Sequence, residues 1–520
     1  MKHPALLLLA LTCAAFSQSF YKEPTLFSTA PAEEKTVNII ERFGPVGMAV
    51  ELHQPAFTMV TGTIGQILAA AEASDGKLSF AIKDLPAPVI VTIPVLGAYS
   101  KTWPLDCPKS DKIVRNFADY ISKPGSNKGF AGAGMLFLLS TGEEKDLAPV
   151  KEWVHSIDPA KTTGYAWHIG FAGIPLCEYY LRTGDPVAMP VIQAWVKTAE
   201  KGEYLDAWAG RGGVTKLGYG NGHLNAGGTA VVTFLMLAKQ CGAEINDSLL
   251  QRTLTHFFRY AGRGINPYGD DRPENSFVDN GKHGNLAFAM AAAAALTPEG
   301  ENSLYAKARD ICAMTSFYTT TFMLHGHTGG GIGEIWRSSA MALLAEKKPL
   351  QYREFMHHRQ WHYDLSRRFD GSFGILGGAG YDNLEWGALF PWAYTFPRKT
   401  LRITGAPPTK FSKTYQLPKR PWGNEADDLF LSMDSVPDKD GKTLDLSGEQ
   451  LTQHSAKPFI ISLNAKELSD DDFRRHIRHP EPLIRYMIAN MTTGLTADYM
   501  FPKPGPKARP HLTEEFARHA

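Results

Sequence analysis

Five short clusters of polar and aromatic residues lie in glycine-rich segments, each at the entrance to an apolar, helix-like pattern. Aromatic rings stack on the apolar faces of sugar rings, whereas amides, imidazoles and carboxylates bind hydroxyl groups. If the fold brings the clusters together, this mixture of residue types predicts a glycan-binding site. The residues predicted to bind the substrate are Trp167, His168, Tyr219, Asn221, His223, Asn225, Asn280, Lys282, Tyr381, Asp382 and Trp386.

Carboxylates and imidazoles in the same clusters suit acid–base catalysis. Glycoside hydrolysis needs two carboxylates at a set separation, and a lyase needs a base near the α-proton of a uronate. We predict that Asp279 or Glu334 is the general acid, and that a second carboxylate, His283 or His327 is the base. The structural alternative is that Asn, Asp and His cap helices and hold loops together.

Two motifs point to cofactors, and both signals are weak. His325, His327 and Glu334 are ligand types that zinc uses, but they lie in a glycine-rich loop with a two-residue spacing. The acidic run that starts at Asp270 has the spacing of a diphosphate-binding motif, yet Pro273 argues against a helix there. We therefore predict no metal and no other cofactor.

The polar clusters need elements to position them, and the stretch Gly264–Leu296 shows the recurring design. A loop rich in Gly, Pro, Asn and Asp leads into an almost purely apolar helix, Leu286–Leu296, with five consecutive alanines. A helix that is apolar all round is buried on every side. We predict that Lys282 and His283 sit at the mouth of this helix and face a central funnel.

Glycine-rich polar loops that lead into apolar helices recur along the main helical region, and they predict about six helical hairpins. Hairpins arranged in a circle form an α/α toroid with a central funnel. The alternative is that the same hairpins stack into an extended solenoid. The polar residues at the helix entrances favour the toroid, because a shared cavity needs them there. The hairpins are predicted to begin near Asp111, His168, Asn225, Gly284, Glu334 and Tyr381.

A chain of 520 residues is long enough for several domains. The N-terminus combines Lys2 with an apolar run and small residues, which is typical of a secretory signal; Cys13 leaves a lipoprotein as the alternative. We therefore expect a protein exported to the periplasm or the cell exterior. The predicted boundaries are a signal peptide at 1–17, a small β-rich domain at 35–98, a toroid at 108–405, a Pro-rich linker at 406–465, a helical segment at 466–495 and a loosely ordered tail at 496–520.

Composition excludes several partners. Lys and Arg number 54 against 53 Asp and Glu, so the charge balance gives no reason to expect nucleic acid or a membrane surface. No apolar run after the signal is long enough to span a bilayer. The four remaining cysteines are even in number, which permits disulfides, but Cys177 and Cys312 lie in apolar helical patterns that favour free buried thiols.

With these loops in view, the chain resembles an exported bacterial family known only as a domain of unknown function. Its members join a PDZ-like N-terminal module to an α/α toroid, so the resemblance implies a degenerate PDZ-like domain at 35–98. The segment 466–495 is similar to a single HEAT repeat. The resemblance covers roughly residues 35–405 and rests on GYAWHIGFAGIPLCEYYLRTGD (164–185), LGYGNGHLNAGG (217–228), NPYGDD (266–271), DNGKHGNLAF (279–288), HGHTGG (325–330) and RRFDGSF (367–373).

Two functions from different classes follow. The first is a protein that binds or cleaves a glycan in its funnel; helix N-termini around the funnel favour an anionic glycan. The second is a non-catalytic scaffold that binds a protein partner through the N-terminal module and the toroid surface. An open strand edge within residues 37–95 favours the second.

Overall fold

A computed structural model of the chain describes most of the helical region and isolated parts of the rest. The described residues are 36–37, 40–42, 49–51, 57–58, 64–82, 85–126, 128–161, 164–209, 223–261, 266–267, 282–318, 333–368, 370–374, 391–422, 425, 431, 463, 467–479, 482–496, 504–505 and 507–517. The predicted signal peptide lies outside them.

The strands concentrate before residue 93, as the sequence predicts. They are β1 (Thr36–Val37), β2 (Ile40–Arg42), β3 (Ala49–Glu51), β4 (Phe57–Thr58), β5 (Lys77–Ile82), β6 (Val89–Thr92), β7 (Glu203–Tyr204) and β8 (Ala207–Trp208). Four of them form an antiparallel sheet in the order β1-β4-β5-β6, while β2 pairs with β3 and β7 with β8.

The helices account for most of the described chain, so the prediction of a mostly α protein is confirmed. The PDZ-like and toroid assignments remain predictions. The helices are α1 (Ile64–Ala73), α2 (Pro108–Ser122), α3 (Ala133–Ser140), α4 (Leu147–Ser156), α5 (Ala166–Thr183), α6 (Ala188–Gly202), α7 (Asn225–Cys241), α8 (Asp247–Phe258), α9 (Lys282–Ala294), α10 (Leu304–Tyr318), α11 (Gly333–Ala342), α12 (Pro349–Ser366), α13 (Trp392–Thr395), α14 (Asp470–His476), α15 (Pro482–Thr492) and α16 (Pro510–Ala517).

Local sequence signals explain where several of these helices begin and end. The side chain of Asn246 accepts a hydrogen bond from the Leu249 N–H at 3.1 Å and caps α8. Helices α5 and α7 end at Gly184 and Gly242, which adopt the left-handed conformation that glycine tolerates best. Within the described ranges, no helix is long and apolar enough to cross a membrane.

The chain divides into two compact units, each built from two stretches of sequence. The first unit comprises Met1–Val150 and Thr320–Thr400, and the second comprises Lys151–Thr319 and Leu401–Ala520. In the first unit α1 packs against β5 and α12, and Ala71, Leu78 and Ile93 form a small core beside it.

In the second unit α5, α7 and α9 form the inner layer. Helix α7 packs extensively against both α5 and α9, and α9 also packs against α10. Almost every residue of α7 and α9 is buried, as an all-apolar helix requires. Cys177 of α5, Cys241 of α7 and Cys312 of α10 are buried free cysteines, and Cys107 of the first unit is also buried and free.

A glycine contact brings α5 and α7 together. A Cβ atom at Gly170 would lie 2.7 Å from the Val231 nitrogen and 2.8 Å from the Ala230 carbonyl carbon. A Cβ atom at Gly173 would lie 2.4 Å from the Phe234 ring. At Gly170 the two backbones therefore approach too closely for a side chain, and at Gly173 the Phe234 ring occupies the space that a side chain would need.

The segment after residue 400 is fastened across this layer. Both oxygens of the buried Glu178 carboxylate accept backbone hydrogen bonds, at 2.8 Å from Arg402 and 3.0 Å from Ile403. The Lys413 N–H donates to the Gln240 carbonyl at 2.7 Å, and the Leu417 N–H donates to the Leu296 carbonyl at 2.9 Å. Residues 401–417 thus connect the C-terminal ends of α5, α7 and α9.

The glycine contact predicts that Gly170→Ala destabilises the protein. Alanine favours a helix over glycine by ~1 kcal/mol, but overpacking against backbone atoms costs up to ~3 kcal/mol. We expect a lower melting temperature and a lower urea midpoint. Gly164→Ala is the matched control, because a Cβ atom there meets nothing within 4 Å. Equal stability of both variants would contradict the close contact.

Glu178 predicts a defined pH dependence. Burial raises the pKa of Glu178 to about 7, although the hydrogen bonds from Arg402 and Ile403 oppose the shift. The ordinary glutamate pKa is about 4.3, so the folded state binds this proton more tightly than the unfolded state. The stability from this group is therefore complete below the ordinary pKa and is lost as the pH rises through about 7.

Glu178→Gln should remove that loss, so the free energy of unfolding of the variant should fall less than that of the wild type between pH 5 and pH 8. Urea titrations at several pH values measure it. Glu152→Gln, at an exposed position of α4, should retain the wild-type slope. Parallel curves for Glu178→Gln and wild type would show that the carboxyl group titrates normally.

Candidate functional site

The structure describes six of the predicted site residues with their side chains: Trp167, His168, His223, Asn225, Lys282 and His283. Glu334 lies in α11, but its side chain is outside the description. The other predicted residues also lie outside the described residues: Tyr219, Asn221, Asp279, Asn280, His327, Tyr381, Asp382 and Trp386. The acid–base roles assigned to Asp279, Glu334 and His327 therefore remain predictions.

The first residues of α7 and α9 lie next to each other. The Asn285 side-chain amide donates to the Ala226 carbonyl at 2.8 Å and joins the first turns of the two helices. The Asn225 side-chain amide donates to the Pro267 carbonyl at 3.0 Å. These two asparagines hold the helix starts in one cluster together with residues 266–267.

Asn266 links the same cluster to His283. Its backbone N–H donates to His283 Nδ1 at 3.1 Å, and its side-chain amide lies 3.5 Å from the Lys282 carbonyl oxygen. Because Nδ1 accepts this hydrogen bond, the neutral imidazole carries its proton on Nε2. The ring orientation of His283 is therefore defined by the backbone of Asn266.

The cluster is deeply buried. Asn225, Asn266, Lys282, His283 and Asn285 are each at most 1% exposed. Helix α9 begins at Lys282, slightly earlier than its predicted start at Gly284, so Lys282 and His283 lie in its first turn. Neither side chain lies on an outer wall, which agrees with the predicted position at the helix mouth; the funnel itself remains a prediction.

Two buried amide oxygens in this cluster find no hydrogen-bond donor in the part of the chain that the structure describes. Asn266 Oδ1 and Asn285 Oδ1 are buried, and neither has a hydrogen-bond partner among the residues that the structure describes. A buried acceptor without a donor costs about 1–3 kcal/mol. Hydroxyl groups, water and N–H groups can all donate a hydrogen bond to an amide oxygen.

The remaining predicted residues occupy different environments. Trp167 is buried in the first turn of α5, where it stacks on Phe171 and lies close to Gly227 of α7. His168, the next residue, is exposed. His223 donates from Nε2 to the Tyr204 carbonyl at 2.6 Å and packs edge-on against His256, so its geometry suits loop bracing.

The structure thus brings together three predicted residues, Asn225, Lys282 and His283, and places Trp167 beside them. It adds Asn266 and Asn285, which the sequence prediction of site residues left out. Both carried a signal: Asn266 opens the NPYGDD motif, and Asn285 is a polar residue at the start of an all-apolar helix.

The described residues include no group of three His, Cys, Asp or Glu side chains placed to hold a metal ion. His325 and His327 lie outside those residues, so the weak metal signal of that loop has no structural test.

Comparison with known proteins gives one match, and it covers the helical region. Residues 110–405 match the model of a family described as a domain of unknown function, DUF6288. The chain belongs to this family. The match confirms membership in a family of unknown function, and it begins after the predicted PDZ-like module. No curated protein and no solved structure matches the chain.

Proposed function

We propose that this protein binds a glycan, and that the paired starts of α7 and α9 form the binding site. The observation that carries the proposal is the pair of buried acceptors, Asn266 Oδ1 and Asn285 Oδ1, which find no donor among the described residues. Sugar hydroxyls donate hydrogen bonds to such oxygens, and each new bond recovers part of the desolvation cost. Trp167 lies beside the same turn and adds an aromatic surface.

The electrostatics of the cluster favour a glycan with acidic groups. Helices α7 and α9 both begin here, and their N-terminal N–H groups carry a partial positive charge. Lys282, the first residue of α9, adds an ammonium group. A carboxylate on the glycan therefore finds a more favourable environment than a neutral group.

The wider proposal keeps the arrangement predicted from the sequence. In this proposal the helical hairpins form an α/α toroid, and Tyr219, Asp279, His327 and Tyr381 are retained as predicted site residues. The signal-like N-terminus takes the protein out of the cytoplasm, to where extracellular and cell-wall glycans occur. If the glycan is also cleaved, Asp279 and Glu334 are the proposed acid–base pair, with His283 or His327 as the alternative base.

Asn266→Ala tests the site with little disturbance of the fold. The variant removes the acceptor oxygen, while the backbone N–H that bonds His283 stays in place. We expect glycans that bind the wild type on an array to bind the variant about 2- to 10-fold more weakly, the effect of one hydrogen bond. Isothermal calorimetry on the full chain measures the change.

Asn246→Ala is the matched control. It removes the cap of α8 and should cost ~1 kcal/mol of stability with glycan affinity unchanged. The proposal fails if no glycan binds the wild type, or if Asn266→Ala keeps full affinity.

One observation favours the scaffold as a second candidate function. Strand β6 is at one end of the sheet order β1-β4-β5-β6, with no strand on its outer side among those described. Ile90 is 54% exposed on this strand, and Leu85 and Val95 beside it are each 51% exposed. An open strand edge with apolar side chains can pair with an extended peptide.

Ile90→Lys tests this second candidate. If an extended apolar peptide adds to β6, loss of the Ile90 contact should weaken binding about tenfold or more, since burial of one such side chain contributes ~1.5–3 kcal/mol. Selection from a displayed peptide library, followed by fluorescence polarisation, measures the affinity. Val187→Lys, at an exposed aliphatic residue of the second unit, should leave binding unchanged. Equal effects of both variants would point to non-specific apolar binding.

A further inference from the structure

A cleft in the first unit has features of a binding site that the sequence did not reveal. It has a volume of about 520 Å³ and lies among residues 98–103, Ala69 of α1 and one face of α12. This volume is within the range of small-molecule sites. The lining residues that matter for recognition are Tyr99, Lys101, Trp103, Arg353, Glu354 and Gln360.

The aromatic wall of the cleft is held rigidly from behind. The Tyr99 hydroxyl donates to Asp364 Oδ1 at 2.7 Å, and the Lys109 ammonium lies 4.0 Å from the centre of the Tyr99 ring. Trp103 packs edge-on against Tyr99, with ring centroids 5.0 Å apart. The rings therefore have defined positions before any ligand arrives.

A buried ion network fixes this wall in turn. Lys109 Nζ lies 2.5 Å from Glu72 Oε2, and Arg367 pairs with both Glu72 and Asp364. Two carboxylates and two cations make the network neutral, so it does not set the charge of the cleft. Burial alone would lower the pKa of Arg367, but the neighbouring carboxylates of Asp364 and Glu72 outweigh it and raise the pKa above its ordinary value, so the residue stays cationic.

The residues that line the cleft carry a net positive charge. Lys101 and Arg353 are exposed, and neither forms an ion pair with any residue that the structure describes. Glu354 is the one acid among the lining residues, and His357 lies at the same face of α12. A ligand with one negative charge balances this set.

The cleft also has a buried donor. Trp103 is 5% exposed, and its indole N–H has no acceptor among the described residues. The indole nitrogen only donates, so a ligand that satisfies it must present a hydrogen-bond acceptor, such as a hydroxyl oxygen. The cationic groups of the cleft are complementary to a carboxylate, its aromatic rings to an apolar ring face, and its polar groups to hydroxyl groups.

We propose that this cleft binds a monosaccharide uronic acid or a terminal uronate of a glycan. The carboxylate pairs with Lys101 and Arg353, the ring lies against Tyr99, and a hydroxyl oxygen accepts the Trp103 N–H. Glu354 and Gln360 accept hydrogen bonds from the other hydroxyl groups. The cleft lies in the first unit, whereas α7 and α9 belong to the second, so this site is additional to the proposed function.

Calorimetry on the full chain tests the proposal with four probes: glucuronate, galacturonate, glucose and acetate. Glucose keeps the ring without the carboxylate, and acetate keeps the carboxylate without the ring. We expect at least one uronate to bind about tenfold or more tightly than glucose and acetate, because charge-assisted hydrogen bonds are roughly twice as strong as neutral ones. Equal binding of glucose would overturn the proposal.

Arg353→Gln and Trp103→Phe separate the two kinds of contact. Arg353→Gln should weaken uronate binding about tenfold and remove most of its dependence on salt concentration. Trp103→Phe keeps an aromatic ring and should weaken binding severalfold, without the loss of salt dependence. Lys112→Gln, at an exposed lysine of α2, is the matched control and should bind like the wild type.

Two further results would decide against the cleft. Uronate binding that survives Arg353→Gln but is lost in Asn266→Ala would assign the ligand to the α7 and α9 starts instead. Tighter binding of phenylalanine than of either uronate would identify an amino-acid site, in which Glu354 pairs with the ammonium group. Binding that is lost in Arg353→Gln and kept in Asn266→Ala supports the cleft, whether or not the proposed function holds.

Discussion

Close contact between the backbones of α5 and α7 is the constraint on which the second unit depends. At Gly170 the facing backbone atoms leave no room for even a methyl group. This contact buries nearly the whole of α7, which in turn packs on α9. Because both helices are interior, their first turns need polar partners inside the protein, and Asn225 and Asn285 supply them. The polar cluster is therefore present because the first turns of α7 and α9 are buried inside the protein.

The first unit differs from the second in that it buries an ion network as well as apolar groups. Glu72, Lys109 and Arg367 come from three separate parts of the chain, and their side chains are at most 11% exposed where they meet. Removing one partner from such a network leaves an uncompensated charge, which is far more costly than removing the whole set. The network thus fixes how α1, α2 and α12 pack together. Tyr99 is positioned by the same network, because its hydroxyl donates a hydrogen bond to Asp364. Rigidity of this kind is what a binding wall needs.

Much of the fold could be predicted because the decisive signals are local. The apolar stretch after Gly284, the cap at Asn246 and the glycines that end α5 and α7 each act within a few residues. The β-rich character of the region before residue 93 was predictable for the same reason. The contact between Gly170 and Val231 depends on how two helices pack in the tertiary structure, and the hydrophobic periodicity of each helix does not specify this packing.

The sites were less predictable, for the same physical reason. Lys282 and His283 stand out in the sequence because a polar pair precedes an apolar run. Asn266, in contrast, acts through a backbone hydrogen bond to a residue 17 positions away. The cleft gathers residues from three distant stretches of sequence, and no motif marks them. In the sequence, Lys101 and Arg353 look like ordinary surface charges; the structure shows that both line the cleft and that neither forms an ion pair with a described residue.

The discontinuity of both units has a consequence for how the chain acquires its structure. The first unit is interrupted by residues 151–319, and the second is completed only by the segment that follows Thr400. The Glu178 carboxylate accepts hydrogen bonds from the backbone of Arg402 and Ile403, which are synthesised 224 and 225 residues later. During synthesis, neither unit can close while the ribosome is still producing its second half. Such long-range closure slows folding and exposes apolar surface meanwhile. The α5–α7–α9 layer is therefore synthesised before residues 401–417, which connect the C-terminal ends of its helices.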